Sequence, residues 1–352
     1  LTVADMMGTS PKVWTSWKAA LLRELYVNAR AALRSDDGQG ARRHLAARRV
    51  RAREAVLEEI ERQESLRTEA RAFFSAVPDR YLLSVSSHHM LRHVRMWSSV
   101  RRHGGLATHV SHLRRDGVSK LTVATADRPG LLAIVAGALA ANDLSILSAS
   151  VFSVEAPSAE AQAIPEPAAP SGEGGRVAEP TSGTDFQLVR GAPTEGTIAL
   201  DVLYVTDSRG TLADDPDRWQ RVREDLEALL VGDADPEAMV TPRVWRGARF
   251  RPHRPAVKTE VELVGGVGEE VVLDVFCEDH VGVLWIIAKT LVAHGLAIRL
   301  AKISTQGHRV ADGFYVRDAR TGEKVTDVKR LKTAARALRE ALEQIPAARA
   351  AV

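Results

Sequence analysis

Two short loops carry the residues best suited to chemistry. Each has an aspartate followed three positions later by a glycine, Asp127 to Gly130 and Asp279 to Gly282, between a strand-like run and an apolar helix-like run. A glycine there tolerates positive φ and lets another group approach the backbone, while the helix start offers unpaired N–H groups and the positive end of its dipole. Such a loop suits a small carboxylate. In the first loop Pro129 also pre-sets a helical φ. Each aspartate has two readings: it caps the helix, or it receives a ligand's ammonium group.

The loops belong to a repeat. The 27 residues from Asp127 align without gaps on those from Asp279, an offset of 279 − 127 = 152, with ten identities that include Gly130 with Gly282, Leu132 with Leu284 and Leu144 with Leu296. Two equivalent loops in a sequence with no catalytic constellation favour binding over capping alone.

Other chemical signals are weaker. His89 and His93 stand four apart, with His88, His103, His109 and His112 nearby, but no glutamate follows in the zincin pattern and no third ligand is fixed. A polar helix face is the better reading. The single cysteine, Cys277, lies in an apolar run and reads as a small buried hydrophobe. The basic run from Arg243 to Arg254 interleaves arginines with Trp245 and Phe250, a pattern that either meets an acidic partner or single-stranded RNA, or forms a solvated connector. No phosphate loop ending Gly-Lys-Ser/Thr and no G-x-S-x-G occurs.

The elements that position these residues follow from periodicity. Residues 13–33 place Val13, Trp17, Leu21 and Leu25 on one helical stripe, residues 42–74 alternate arginine and glutamate around an apolar seam, and a third helical pattern spans 81–97 before Gly104 and Gly105. The character changes at Val118. Strands are expected at 120–127, 144–155 and 197–208, with helices at 129–141 and 215–230. The second copy repeats strand, helix, strand, strand, helix, with its last helix at 326–344. This order predicts an α+β chain: an all-helical front followed by two ferredoxin-like βαββαβ units. The second unit lacks a fourth strand unless residues 259–264 supply it. Residues 156–196 hold six of the fifteen prolines, a composition that buries too little apolar surface to offset ordering entropy, so most of that stretch is expected to be disordered.

At 352 residues the chain has room for two or three domains of roughly 150 residues. No apolar run approaches the roughly 20 residues needed to span a bilayer, so a membrane protein is not expected. The formal charge of +3 implies no large basic face and gives nucleic acid no support. One cysteine suits a reducing compartment, and a cytoplasmic location is expected. The opening at Leu1 without a methionine or signal peptide suggests a piece of something longer.

DRPGLL after a strand, then a helix, then a strand opening Leu-Ser-Ile, resembles the ACT domain, a small ferredoxin-like module that binds amino acids and regulates enzymes. The pair, with DGFYVRDARTGEKV at 312–325, is similar to the C-terminal tandem of the bifunctional uridylyltransferase and uridylyl-removing enzyme family, which acts on the nitrogen-signalling protein PII. The opening LTVADMMGTSPKVWTSWKAALLRELY resembles the end of that family's HD phosphohydrolase domain, and VPDRYLLSVSSHHMLRHVRMW its link into the first ACT module. The resemblance implies an HD end at 1–35, a helical linker at 36–117, a first ACT domain at 118–250 interrupted at 156–196, and a second at 251–352. It implies amino-acid contacts from Asp127, Arg128, Pro129, Gly130, Leu131 and Asn142, and from Asp279, His280, Val281, Gly282, Val283 and His294. Glutamine is the implied ligand, and PII and UTP are partners of the parent enzyme. Asp5 occupies the last metal-ligand position of an HD site, and Mg2+ or another divalent cation is implied for the parent. One carboxylate cannot hold a catalytic ion, so the chain alone is expected to be inactive. The sequence departs from the family at His280 and Val281, where Arg and Pro are usual, and in the length of its Pro-rich interruption. A reading from another class is a free-standing adaptor whose helical front and basic connector bind a protein or RNA.

Overall fold

The computed structural model describes residues 64–156, 186–191, 194, 196–249, 257–264, 270–303, 305–306 and 309–350, with scattered positions between 26 and 58. Asp5, all of the helix expected at 13–33 but Tyr26 and Arg30, and residues 42–45, 48–49, 52 and 59–63 of the helix expected at 42–74 lie outside those residues. So does 157–185, most of the segment expected to be disordered. Within that segment, however, Gln187–Val189 forms a strand, and Phe186 and Leu188 beside it are buried.

The chain divides into two compact units: residues 1–109, 123–127 and 152–200, and residues 110–122, 128–151 and 201–352. In the first unit lie helices α1 (Glu64–Ala76), α2 (Asp79–Ser84) and α3 (Ser87–His103). Pro78, extended, separates α1 from α2, and Gly104 at φ 62° ends α3. The apolar stripes of α1 and α3 meet over an aromatic cluster in which Phe73 is edge-on to Phe74, Tyr81 and Trp97 at 5.4–5.7 Å between centroids. Edge-to-face geometry sets the positive rim of one ring against the negative face of the next. Phe152 joins the cluster edge-on to Tyr81 at 5.2 Å.

The first sheet contains β1 (Leu106–Leu113), β2 (Val118–Ala126), β3 (Leu144–Ala156), β4 (Gln187–Val189) and β5 (Gly196–Asp207), in the spatial order β3-β5-β2-β1-β4. Between β2 and β3 runs α4 (Leu131–Ala141), and after β5 come α5 (Pro216–Val231) and α6 (Pro236–Arg249). The second sheet lies wholly in the second unit, in the order β6 (Glu260–Val264), β7 (Val271–Glu278), β10 (Arg309–Asp318), β8 (Leu296–Lys302), with the two-residue β9 (Thr305–Gln306) against β10. Its helices are α7 (Val283–Ala293) and α8 (Val328–Ala350).

These sheets correct the expected strand–helix order in one respect. The place beside the first strand of each repeat, where a closing fourth strand was expected, is taken by a strand that comes before it in the chain. In the second sheet this is β6, antiparallel to β7 from Glu260 opposite Phe276 to Val264 opposite Val272, which is the role suggested for residues 259–264. In the first sheet it is β1, inside the stretch expected to be all-helical. LATHVSHL has polar residues on both faces, so alternation does not mark it; its neighbours β2 and β4 do. The solvated connector expected at 243–254 is also helical as far as Arg249, with Pro242 inside α6.

The repeat extends beyond the 27 aligned residues. With an offset of 111, Asp201, Tyr204, Val205 and Asp207 of β5 match Asp312, Tyr315, Val316 and Asp318 of β10. The change of offset, 152 − 111 = 41, equals the 41 residues of 156–196. Both third strands end in an aspartate that gathers the following turn: Asp207 accepts from the N–H groups of Arg209 and Thr211, and Asp318 from those of Arg320 and Thr321. Each turn then delivers an aspartate to a helix start, where Asp215 accepts from Asp217 N–H at 3.0 Å and Asp327 from Lys329 N–H at 2.9 Å.

Candidate functional site

Helix α4 is apolar all round and α7 nearly so, and both are buried along most of their length, as a helix without a polar face must be. They pack on one another and α4 also packs on α5 and α6. Gly130, the cap of α4, faces Val292 near the end of α7, and Gly137 faces Trp285 near the start of α7. Both pairs sum to 422, so the helices run antiparallel, with Val135 and Ile287 at the corresponding midpoint.

Each aspartate loop enters its helix through the same conformation. Gly130 has φ 85° and ψ 2°, Gly282 φ 90° and ψ −1°, both left-handed, and each is the cap residue of its helix. Asp127 and Asp279 therefore stand three residues before the cap, and neither occupies the capping position. With glycine at the cap, no cap side chain engages the first-turn amides. The loops differ elsewhere. His280 and Val281 are buried, whereas Pro129 is exposed. Burial lowers the Arg128 guanidinium from its ordinary value, and its Nε and one terminal nitrogen are buried without a hydrogen bond.

A small cavity of about 20 Å³ lies at the second loop, room for a group the size of a water molecule. Asp279, His280, Gly282 and Val283 line it, together with Leu144, Ser145 and Ile146 at the start of β3. It therefore joins a loop of one repeat to a strand of the other, within the second unit. Trp285 and Asp312 are also part of its wall. Lys289 sits over the indole, with Nζ 4.0 Å from the Trp285 ring centroid and 2.8 and 3.0 Å from the two carboxylate oxygens of Glu237.

The local field is acidic. The buried Cys277 thiol is pushed up to about 12, first by burial and then by Asp312, Asp279 and Glu278. At neutral pH it is an inert thiol, as expected from the sequence.

The structure brings together four of the twelve expected amino-acid contacts, namely Asp279, His280, Gly282 and Val283. Val281 is adjacent but not part of the wall, and Asp127, Arg128, Pro129, Gly130 and Leu131 form the other loop. Asn142 and His294 are the C-terminal cap residues of α4 and α7 and do not line the cavity. Asn142 donates to the Ala138 carbonyl at 2.9 Å and to Asp225 at 2.6 Å, tying α4 to α5. His294 Nδ1 is 2.9 Å from the Thr290 carbonyl, and its own carbonyl accepts from Arg330 Nε at 2.8 Å. Sequence reasoning missed Ser145, Ile146, Trp285 and Asp312. For Asp312 a signal existed, a carboxylate between apolar residues at the same place in both third strands, but the 41-residue interruption hides that correspondence.

The histidines do not converge. His89 Nδ1 is 2.7 Å from Ser86 Oγ, His93 Nδ1 3.0 Å from Tyr81 Oη, and His112 Nδ1 2.9 Å from Ser119 Oγ. Among the described residues no group of three or more His, Cys, Asp or Glu could hold a metal ion, and no helix is long and apolar enough to cross a membrane. The side chain of His88 and those of the basic run from Arg243 lie outside the described residues.

Comparison with known proteins gives one consistent result. The chain is 29% identical over 361 aligned residues to the bifunctional uridylyltransferase/uridylyl-removing enzyme of Caulobacter vibrioides, covering 99% of this chain and 33% of the relative. The enzymes of the same name from Gluconobacter oxydans and Azotobacter vinelandii are 28% and 26% identical over 98% and 91% of the chain. The chain thus spans about a third of the length of the curated relatives it matches, and the resemblance read from its motifs holds across nearly all of it. No protein-family model matches the chain, and no solved structure does.

Proposed function

We propose, from kinship with uridylyltransferase/uridylyl-removing enzymes, that this chain is the amino-acid-sensing part of such an enzyme. Its two repeats act as paired ACT-type units, and glutamine is the ligand. The observation that carries the reading is the cavity at Asp279 and Gly282, where a helix start with glycine at its cap and a carboxylate meet a strand of the other repeat. A helix start attracts a carboxylate, and Asp279 attracts an ammonium group, so the two ends of an α-amino acid have separate partners. The cavity of about 20 Å³ is partly open, so an amino acid seated there extends beyond it toward solvent. Occupancy then shifts the balance of the parent's two activities through different affinities for two arrangements of the chain.

The activities assigned to the whole enzyme are transfer of UMP from UTP to PII and hydrolysis of that modification, with Mg2+ or another divalent cation. No step of either is assigned to the residues described here, and the isolated chain is proposed to be inactive in both. Thermal scanning with single amino acids tests the sensing claim, since a ligand at a hundred times its dissociation constant adds about 2.7 kcal/mol. Glutamine is expected to raise the midpoint and to give a saturable heat in calorimetric titration. A flat response in both removes glutamine sensing from this chain.

A further inference from the structure

We propose that Phe186–Gly191 is a releasable strap laid over a strand-docking edge, and that the edge accepts in its place an extended segment of a partner protein with an aromatic and an aliphatic residue two positions apart. The inference is independent of the amino-acid-binding reading. The contacts of the strap lie within the first compact unit. β4 is antiparallel to β1 over three residues only, with Leu106 opposite Val189, Ala107 opposite Leu188 and Thr108 opposite Gln187. Phe186 and Leu188 are buried in the cluster that holds the apolar side chains of α1 and α3, whereas Gln187 between them is exposed. Beyond the strand the same segment closes a helix end. The N–H groups of Gly191 and Thr194 donate to the carbonyls of His103 and Arg101, in the last turn of α3, at 2.8 and 3.2 Å.

β1 needs such a cover and its counterpart does not. In the second sheet the corresponding strand is β6, and among the described residues no strand pairs outside it. Glu260 and Glu262 put charge on that strand, a common defence of an open edge. Leu106, Ala107 and Thr108 are uncharged and at most 6% exposed. With the strap lifted they offer backbone donors and acceptors beside an apolar groove, the two features by which a sheet takes up an added strand.

The strap is also lightly held. It lies within the 41 residues, 156–196, by which the first repeat exceeds the second, so the architecture of a repeat does not call for it. Two buried side chains and a few hydrogen bonds are set against the ordering of the segment that carries them. Where it leaves β1 the two backbones touch: a Cβ on Gly191 would stand 2.9 Å from Gly105 N and 3.1 Å from Gly105 Cα. Gly191 does not have a positive φ, so Gly191→Ala loosens the strap through that contact alone.

Two measurements on the full 352-residue chain test the proposal. In hydrogen exchange the amides of 186–191, and those of 106–108 that face β4, are expected to exchange at least about 10-fold faster than the centre of β5, because an element with few contacts opens below global unfolding. Gly191→Ala is expected to speed both segments by about 10-fold and to leave β5 within about 2-fold. In fluorescence anisotropy a labelled peptide TDFQLVRGA, residues 184–192, is expected to bind the Phe186→Asp/Leu188→Asp double variant, whose own strap cannot seat, at least about 10-fold more tightly than the wild-type protein, where the tethered strap competes at an effective concentration on the order of millimolar. Exchange of 186–191 as slow as that of β5 overturns the proposal, whether or not the double variant folds. A folded double variant that takes up no peptide, or binds it no more tightly than wild type, overturns it too. If the double variant does not fold, Gly191→Ala takes its place in the peptide titration, and no gain in affinity over wild type is the overturning result.

Discussion

At the scale of single residues, Gly282 is where backbone and ligand chemistry coincide. Its φ of 90° is one that a side chain resists, at roughly 1–2 kcal/mol for the left-handed conformation. Gly282→Ala is expected to lower stability by about that amount and to weaken glutamine binding, measured by thermal melt and titration of the same sample. Gly130→Ala makes a cleaner comparison, because a Cβ there meets Val292 at an ordinary 3.6 Å, so strain in φ is its only cost. Arg330 stands apart from the site. Its guanidinium bonds the carbonyls of His294 and Gly295 and, at 2.5 Å, the Asp318 carboxylate. That hydrogen bond, with those from Thr321 and Arg320 N–H, holds Asp318 well below the usual carboxylate range. A depressed carboxylate stabilises the fold fully above its unfolded value near about 3.9, and the contribution is lost as pH falls toward the folded value. Arg330→Gln is therefore expected to lower the thermal midpoint at pH 7 and to flatten its decline from about pH 5 to pH 2.

At the scale of elements, the contact between α4 and α7 is set by a small residue. A Cβ on Gly137 would stand 3.1 Å from Trp285 Cδ1 and 3.4 Å from Val240, and Trp285 is itself pinned by Lys289. Gly137→Val is expected to cost about 1–3 kcal/mol by overpacking and to disturb the cavity that Trp285 lines, read as a lower urea midpoint together with weaker glutamine binding. Much of this level was legible in the sequence. The apolar runs of α4 and α7, the strands flanking them and the loops between stand out because periodicity and duplication agree. Strand β1 was not legible, since Thr108, His109, Ser111 and His112 put polar groups on both of its faces and only its neighbours make it a strand. Helix α6 was obscured by Pro242. Of the site, the loop was legible and the opposite wall was not, because Ser145 and Ile146 are ordinary strand residues until the packing of α4 on α7 sets them beside Asp279.

At the scale of the whole molecule, the interruption between the second and third strands of the first repeat is bounded by geometry. It leaves at Ala156 from β3, one edge of the five-stranded sheet, and returns at Phe186 to β4, the other edge. Four strand spacings of about 4.8 Å put roughly 19 Å between those edges. A flexible 12-residue Gly/Ser linker, up to about 40 Å when extended, spans that distance. Replacing residues 157–185 by such a linker is expected to shift the urea midpoint by less than about 1 kcal/mol equivalent, since closure entropy changes slowly with length. Removing 186–191 as well is expected to cost more, because Phe186 and Leu188 are buried and β4 completes the edge beside β1.

The leading strands have a practical corollary. A recombinant piece begun at Val118 or at Val271, where each duplication looks complete, would leave the hydrogen-bonding rim of β2 or β7 bare and ready to recruit a stray strand from a neighbour. The natural cut points lie upstream, before Leu106 and before Glu260, so dissecting this protein one repeat at a time means carrying along a ribbon of chain that the duplication itself never reveals.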